Sequence, residues 1–267
     1  MSFKFLFSVL ILKWWGLDLV PTFFTCVKES IQRMDMEDVL YYWPLPFRAN
    51  FICLILEEAN VPYRWASAKE VIDLKDRPIK DQPFPSMAPP IFFDSHENIY
   101  LNQMPVICWH LAKKYNLMPE SEYKSNIGLK LLLDANDLLM EVTNYNGRTM
   151  WEQGDWLEFR EHRLRRWFEI FEQVGTHFGL GHDSDFILGT PKITFADLIT
   201  CAGLGTLTSQ LPQLKSDFNR FAPKVADLCD RIADRPRIQS FFLEQRKKWA
   251  NGYCGGQIEE SLRNMLS

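Results

Sequence analysis

The hydrophobic pattern of this chain changes near residue 120, and that change limits the folds open to it. Before that point, short β-branched and aromatic runs alternate with apolar runs at helical spacing. After it, the apolar runs all have helical spacing. Only the first part can supply a sheet, so we predict an α/β domain over residues 37–116 and an all-helical domain over residues 123–250. The linker contains Pro119, and residues 251–267 are predicted to be a tail.

The first part predicts the element order β-α-β-α-β-β-α. A βαβ unit followed by a hairpin and a covering helix gives a mixed sheet. The predicted strands cover residues 38–43, 63–67, 90–93 and 99–101. The predicted helices cover residues 47–59 and 106–115, and residues 71–80 are predicted to be a weak helix or an irregular stretch. In the second part, helices are predicted over residues 123–151, 157–175, 194–207, 223–233 and 236–249.

Composition excludes several classes of function. The 267 residues carry a net charge of −4. A nucleic-acid-binding domain usually has a basic patch and a high pI, so this class of function is not predicted. Six cysteines are scattered without a CxxC pair or a Cys/His cluster, so no metal site is predicted. Free core thiols are typical of a reducing compartment, and we expect a cytoplasmic protein. His110, on an apolar helix, is predicted to be a core residue with its hydrogen bonds satisfied.

Residues 1–36 differ from the rest of the chain. Phe5 to Leu12 is an apolar run interrupted only by Ser8, too short to cross a bilayer, which needs about 20 residues. Three interpretations stay open: a targeting or membrane-associating leader, an extra helix packed on the domain, or a start codon placed too far upstream. Met34 and Met36, just before the first strand, slightly favour the last.

Four motifs occur in an order and spacing that resemble a known family. They are Leu40-Tyr41-Tyr42-Trp43 with Arg48 after it, Met87-Ala88-Pro89-Pro90-Ile91, Gln103-Met104-Pro105-Val106-Ile107, and Phe186-Ile187-Leu188-Gly189 followed by Thr194-Phe195-Ala196-Asp197. Together they resemble the cytosolic glutathione S-transferases of the tyrosine type (sigma, pi or mu-like) over roughly residues 39–249. The resemblance implies a thioredoxin-like N-terminal domain followed by an all-helical C-terminal domain. Thr194 and Asp197 are predicted to form a capping box, which has a structural and not a catalytic role.

The resemblance implies that Tyr42 is catalytic. A thiol is a poor nucleophile until it ionises, and a phenol that donates to the sulfur stabilises the thiolate. Trp43 and Arg48 would flank the bound peptide. Tyr41 points to the opposite face of the strand by period two, so we expect it in the core.

The resemblance also places two loops at glutathione. The bond between Ala88 and Pro89 would be cis, so that the amide and carbonyl of Ala88 could pair with the cysteinyl backbone. Gln103 and Met104 open a helix whose free amides suit the γ-glutamyl carboxylate. The family usually has Ser or Thr where this chain has Met104, which cannot donate a side-chain hydrogen bond.

A second substrate would lie between the domains. We expect Glu141, Asn144, Tyr145 and Arg148, near the end of the first long C-terminal helix, to face it, although such residues are often simply solvated. The predicted function is conjugation of the glutathione thiolate to small hydrophobic electrophiles, as in detoxification. The alternatives are a non-catalytic binding or structural protein of the same fold, or a glutathione-dependent isomerase.

The resemblance further implies the partners. Glutathione is a co-substrate, and no other cofactor is expected. The chain is expected to form a homodimer. Membrane association is expected only if residues 1–36 are a membrane-associating leader. If residues 1–36 fold over the first domain, they would cover the dimer surface.

Overall fold

A small mixed sheet forms the centre of the first half of the chain. The computed structural model describes residues 37–182 and 185–267, so all three interpretations of residues 1–36 fall outside the described residues. The strand order is β2-β1-β3-β4, with β1 parallel to β2 and antiparallel to β3, and β3 antiparallel to β4. The elements are β1 (Asp38–Tyr41), α1 (Ala49–Glu58), β2 (Tyr63–Trp65), α2 (Ala68–Lys75), β3 (Ile91–Asp94), β4 (Ile99–Asn102) and α3 (Met104–Lys114).

The second half of the described chain is helical. No helix among the described residues is long and apolar enough to cross a bilayer. The helices are α4 (Glu122–Val142), α5 (residues 153–177, with a π-helical stretch at Phe159–Leu164), α6 (residues 195–210, with a π-helical stretch at Cys201–Gly205), α7 (Lys215–Phe221), α8 (Pro223–Ala233), α9 (Pro236–Trp249) and α10 (Gly256–Met265). Short 3-10 turns lie at Ile79–Asp81 and Pro212–Leu214.

Helix α1 joins the two halves because it is covered on all sides. Every residue from Ala49 to Leu56 is buried, as expected for a helix whose surface is apolar all round. Its one polar member, Asn50, donates to Thr206 Oγ1 at 3.0 Å and accepts from Gln245 Nε2 at 2.6 Å. At the end of α1, the Glu58 carboxylate accepts from Arg235 Nε at 2.7 Å. Hydrogen bonds as well as apolar packing therefore fix α1, and with it the sheet, against α6 and α9.

Two local predictions are confirmed. Asp197 Oδ2 accepts from the Thr194 amide at 2.8 Å and from its hydroxyl at 2.9 Å, completing the capping box. The other Asp197 oxygen accepts from the Ile187 amide at 2.7 Å, so the same carboxylate also holds the preceding loop. The hydrogen bond predicted for His110 is also present, since its Nε2 lies 2.9 Å from the buried carboxylate of Asp94, but its side chain is 20% exposed and lies at the edge of the core.

Several predicted bounds are wrong. The helix predicted over residues 123–151 ends at Val142, because four successive residues, Asn144 to Gly147, have positive φ. Helix α7 lies between predicted segments, and its seven residues are too few to show a period. The predicted tail contains α10, whose Ile258, Ser261 and Leu262 are buried.

Candidate functional site

A cleft of about 730 Å³ lies where the sheet meets the helical half. Three stretches of chain line it: the loops at the edge of the sheet, the end of α4, and the segment before α10. All seven residues predicted to bind glutathione line this cleft, namely Tyr42, Trp43, Arg48, Ala88, Pro89, Gln103 and Met104. The structure therefore brings together residues that are 62 positions apart in sequence (104 minus 42).

Tyr42 follows the end of β1 and is almost wholly buried in the main core. The Trp65 indole donates to its backbone carbonyl at 3.0 Å, which fixes the turn. Burial raises the pKa of the Tyr42 hydroxyl to about 12, while the amide and guanidinium of Arg48 lower it and Cys254 adds a smaller increase. The phenol therefore keeps its hydrogen at neutral pH.

Arg48 precedes the first residue of α1 and reaches across the cleft. Its guanidinium Nη2 donates to Asn146 Oδ1 at 3.0 Å and to Met140 Sδ at 3.2 Å, and its Cζ lies 4.8 Å from the Phe47 ring centre. The side chain thus ties the Tyr42 side of the cleft to the helical side. Arg48 is the only charged residue among those that line the cleft within the described chain.

Tyr41 lies on the opposite face of the sheet, as predicted. It packs with Tyr100 at a ring-centre distance of 6.4 Å and joins a small cluster that includes Val39, Val71 and Phe93. Tyr41 does not line the cleft. The two adjacent tyrosines therefore have different environments because successive side chains of an extended segment point to opposite faces.

The expected position of the cis bond is wrong by one residue. The cis peptide joins Pro89 to Pro90, not Ala88 to Pro89, and Ile91 begins β3 directly after it. Two consecutive prolines made the register ambiguous in the sequence. Pro89, which precedes the cis bond, has no amide hydrogen, so it offers a ligand backbone only its carbonyl.

The start of α3 has the predicted free amides. Gln103 has φ of 67° and ψ of 114° at the N-cap, a conformation that is rare for a residue with a side chain. The amides of Met104 and Val106 lie in the first turn, where backbone N–H groups have no acceptor within the helix. Pro105, which lies between them, has no amide hydrogen. The Met104 side chain, only 1% exposed, is packed in the core beneath this turn.

The helical wall of the cleft differs from the prediction. It consists of one face of α4 and the turn that follows, with Asn136, Met140, Thr143, Asn146, Gly147 and Met150. Asn136, Met140 and Thr143 are spaced four and three residues apart, so they share one helix face. That spacing was readable in the sequence.

The four residues predicted for the electrophile pocket do not line the cleft. Glu141 lies one position round the helix from Met140, accepts from Arg163 Nε at 2.9 Å, and faces α5. Asn144 donates to Thr149 Oγ1 at 2.7 Å. Tyr145 is 61% exposed, and Arg148 ends the turn. Glu141 is part of α4 and faces away from the cleft, whereas Asn144, Tyr145 and Arg148 are turned away because the left-handed turn replaces the continued helix that the prediction assumed.

The third wall was missed by sequence analysis. Cys254, Gly255, Gly256, Gln257 and Ile258 line the cleft from the segment leading into α10. Tyr253 anchors this segment by packing edge-on against Phe47 at 5.3 Å, and the Phe47 amide donates to its carbonyl at 3.3 Å. A short polar stretch near the end of a chain carries no pattern that indicates such packing.

Comparison with known proteins agrees with this architecture. The family model of the glutathione S-transferase C-terminal domain matches residues 127–265. The Pi-class glutathione S-transferase of Onchocerca volvulus is 22% identical and superposes with a TM-score of 0.65, covering 83% of this chain and 98% of that chain. A search of curated protein sequences gave no match.

Two further solved structures have the same fold at lower identity. Prostaglandin synthase D of Nilaparvata lugens is 15% identical, with a TM-score of 0.61 over 79% of this chain and 99% of that chain. The rat hPGDS complexed with a quinoline is 19% identical, with a TM-score of 0.58 over 78% of this chain and 96% of that chain. These likenesses confirm the predicted fold class, and the family model spans more than half of the chain. The chain therefore belongs to the glutathione S-transferase family.

Proposed function

We propose that this protein conjugates the thiolate of glutathione to small hydrophobic electrophiles, with Tyr42 as the catalytic donor. The observation that carries the proposal is that Tyr42 lines the same cleft as the start of α3, where free amides suit a carboxylate. Burial raises the pKa of the Tyr42 hydroxyl to about 12, so it keeps its hydrogen at neutral pH. That hydrogen can be donated to a thiolate bound in the cleft.

The remaining cleft residues support a peptide with a carboxylate at one end. The free amides at the start of α3 suit the γ-glutamyl carboxylate. The Pro89 carbonyl is available to the cysteinyl amide, and Trp43 and Arg48 flank the rest. Glutathione enters as a co-substrate in this proposal, and no further cofactor is required.

In the reaction, the bound thiol loses its proton to solvent and the Tyr42 hydroxyl hydrogen-bonds the resulting thiolate. The sulfur then attacks the electrophilic carbon, a carbon–sulfur bond forms, and the leaving group departs. The electrophile would contact the α4 wall, where methionine side chains at positions 140 and 150 offer an adaptable apolar surface. The five described cysteines are free, which fits a reducing compartment such as the cytoplasm.

The test compares Tyr42→Phe with Tyr41→Phe. Removing the Tyr42 hydroxyl should lower kcat/KM with a reactive aryl halide at least about tenfold, which is about 1.4 kcal/mol of barrier. Retention on immobilised glutathione should change little. Tyr41→Phe removes a phenol of the neighbouring residue outside the cleft and should leave the rate unchanged. Equal rates for wild type and Tyr42→Phe would exclude Tyr42 from the mechanism.

A glutathione-dependent isomerisation is the second candidate, because one of the similar structures is described as a prostaglandin synthase D. The same thiolate would serve, but glutathione would be regenerated. Measuring glutathione consumption against product formation separates the two: conjugation consumes one glutathione per product, and isomerisation consumes none. A protein that binds glutathione and does neither would be the non-catalytic alternative.

A further inference from the structure

The charge of the cleft is unbalanced. Arg48 lines it, and no aspartate or glutamate of the described residues does. The other polar side chains along its walls are amides, hydroxyls, an indole and a thiol. In the part of the chain that the structure describes, a single positive charge therefore faces a cleft whose remaining lining is neutral.

The contacts of Arg48 within the described chain do not neutralise this charge. Its Nη2 donates to Asn146 Oδ1 and to Met140 Sδ, and both acceptors are neutral. None of the ion pairs between described residues includes Arg48. A guanidinium has five N–H donors, so three remain on Nε and Nη1 after the two bonds from Nη2.

Half-buried arginines elsewhere in this fold have a counterion. Four of them each pair with a carboxylate, namely Arg64 with Glu70, Arg160 with Asp217, Arg235 with Glu58, and Arg263 with Glu259. Arg48 is half-buried as well. Because moving a charge out of water costs free energy unless an opposite charge compensates it, an anion that enters the cleft is favoured at Arg48.

The position of the guanidinium assigns this anion to the second substrate. Met140 and Asn146, which hold it, belong to α4 and the turn that follows, the wall that contacts the electrophile in the proposed function. The γ-glutamyl carboxylate of glutathione has a separate place there, at the start of α3. Met140 and Met150 give the same wall an apolar surface. A ligand that matches this wall has an apolar body and one acidic group.

We propose that the second substrate is an electrophile that carries a carboxylate on an apolar body, and that Arg48 binds this carboxylate. This inference rests on the proposed function, because it requires a glutathione thiolate beside Tyr42. With an aryl chloride, the thiol proton goes to solvent, the sulfur forms a bond to the ring carbon, and chloride leaves. The carboxylate is unchanged by the reaction and serves to place the electrophilic carbon at the sulfur.

The experiment compares two electrophiles that differ in charge. The compounds para-chloro-meta-nitrobenzoate and para-chloro-meta-nitrobenzamide share a ring and a leaving group, but only the benzoate is an anion. The kcat/KM of each is divided by its uncatalysed rate constant with glutathione, which removes the difference in intrinsic reactivity. We expect this acceleration to be at least about tenfold greater for the benzoate, because a guanidinium forms strong charge-assisted hydrogen bonds with a carboxylate.

Three variants test whether Arg48 is responsible. Arg48→Gln removes the charge and should abolish the preference for the benzoate, whatever happens to the rate with the benzamide. Arg48→Lys keeps a positive charge and should retain part of the preference. Arg148→Gln is the matched control, because Arg148 is exposed in the turn after α4 and does not line the cleft. It should keep the wild-type preference. A preference that survives in Arg48→Gln overturns the inference.

Inhibition by the unreactive meta-nitrobenzoate distinguishes a failure of this inference from a failure of the proposed function. It should compete with the electrophile and not with glutathione, and meta-nitrobenzamide should inhibit at least about tenfold more weakly. Equal acceleration of both electrophiles by the wild type, or competition of meta-nitrobenzoate with glutathione alone, overturns the inference while conjugation stands.

If neither electrophile is conjugated, the proposed function fails. Titration calorimetry of the wild type then decides whether the carboxylate site fails with it: tighter binding of meta-nitrobenzoate than of meta-nitrobenzamide supports the site, and equal affinity overturns it. The wild-type comparisons need no variant, so the result does not depend on how Arg48→Gln folds.

Discussion

At the scale of single residues, the turn after α4 holds a tyrosine in a conformation that side chains disfavour. Tyr145 has φ of 56° and ψ of 54°, in the left-handed region, and its side chain is 61% exposed. Asparagine tolerates this region better, and Asn144 and Asn146 flank Tyr145 on either side. The turn directs Asn146 toward Arg48, whose guanidinium donates to the Asn146 side-chain oxygen. Strain of this kind commonly marks a functional site.

Replacing Tyr145 should therefore stabilise the protein. Tyr145→Asn relieves a left-handed conformation that costs about 1–2 kcal/mol and loses little packing. We expect the melting temperature to rise by about 2–4 °C in a thermal unfolding experiment. Tyr123→Asn is the matched control, because Tyr123 is 59% exposed in the regular first turn of α4. An equal rise in melting temperature for Tyr123→Asn would show that the left-handed backbone of Tyr145 is not the cause.

Met104 links the stability of the core to the affinity of the site. Met104→Ser places a hydroxyl where the γ-glutamyl carboxylate is expected, and a hydrogen bond to a charged group contributes about 1.5–3 kcal/mol. We expect glutathione to bind about tenfold tighter in titration calorimetry. Because the side chain is buried, the same change should lower stability by about 2–5 kcal/mol.

Val106→Ser serves as the control for Met104→Ser, since Val106 lies in the same turn and is 51% exposed. It should alter neither stability nor affinity by much. Unchanged glutathione affinity in Met104→Ser would mean that the carboxylate does not lie at the start of α3.

At the scale of elements, the β3–β4 hairpin is held to α3 by a buried carboxylate. Asp94 Oδ1 accepts from the amides of His96 and Glu97, both at 3.0 Å. Its Oδ2 accepts from Lys114 and contacts His110. Burial alone would raise the pKa of Asp94, but the hydrogen bonds from Lys114, His110 and the Glu97 amide outweigh it and lower the pKa to about 2.

This pairing gives a pH dependence with a definite sign. A carboxyl whose pKa falls from 3.8 in its ordinary state to about 2 in the folded protein stabilises the fold at pH values above both. The contribution, on the order of 2 kcal/mol, is lost as pH falls from about 4 to 2. Urea unfolding across this range should show a smaller loss of stability in Asp94→Asn than in wild type. An equal loss of stability in both proteins across this pH range would contradict the assignment of the pH dependence to Asp94.

Elements were predictable where a period is long enough to read. The strands carrying Val39 and Phe92 and the buried helix α1 follow from β-branched and helical patterns, and their bounds are off by one or two residues. The turn after α4 was not predictable, because nothing local requires Tyr145 to be left-handed. The wall at Cys254 was missed because its packing depends on Phe47, far away in sequence. The site was therefore predicted on the sheet side only, although the spacing of Asn136, Met140 and Thr143 on α4 was also readable in the sequence.

At the scale of the whole molecule, the proposed homodimer needs an exposed apolar surface on the long helices. Leu133 on α4 is 47% exposed and lies outside the cleft. A two-fold axis would make such a patch serve both subunits. We propose that this surface lies at the subunit interface.

Leu133→Lys should convert the dimer to a monomer in sedimentation velocity, because it places a charge in a desolvated contact. Thermal stability of the isolated subunit should change little, since Leu133 is exposed. Leu243→Lys is the control: Leu243 is 50% exposed on α9 and should leave the dimer intact. A monomeric wild type at micromolar concentration, or dissociation by the control alone, would contradict the proposed interface.

The contacts of α1 have a consequence for how the chain is made. Asn50 hydrogen-bonds to Gln245, which is 195 residues further along the chain, and Phe47 packs against Tyr253. A ribosome that adds about 5–20 residues per second needs on the order of ten seconds or more to supply those partners. During that interval the face of α1 that contacts α6 and α9 in the folded protein has no residues packed against it. We therefore expect the nascent first half to expose apolar surface of α1, of the kind that chaperones recognise, until synthesis reaches the segment that closes the cleft.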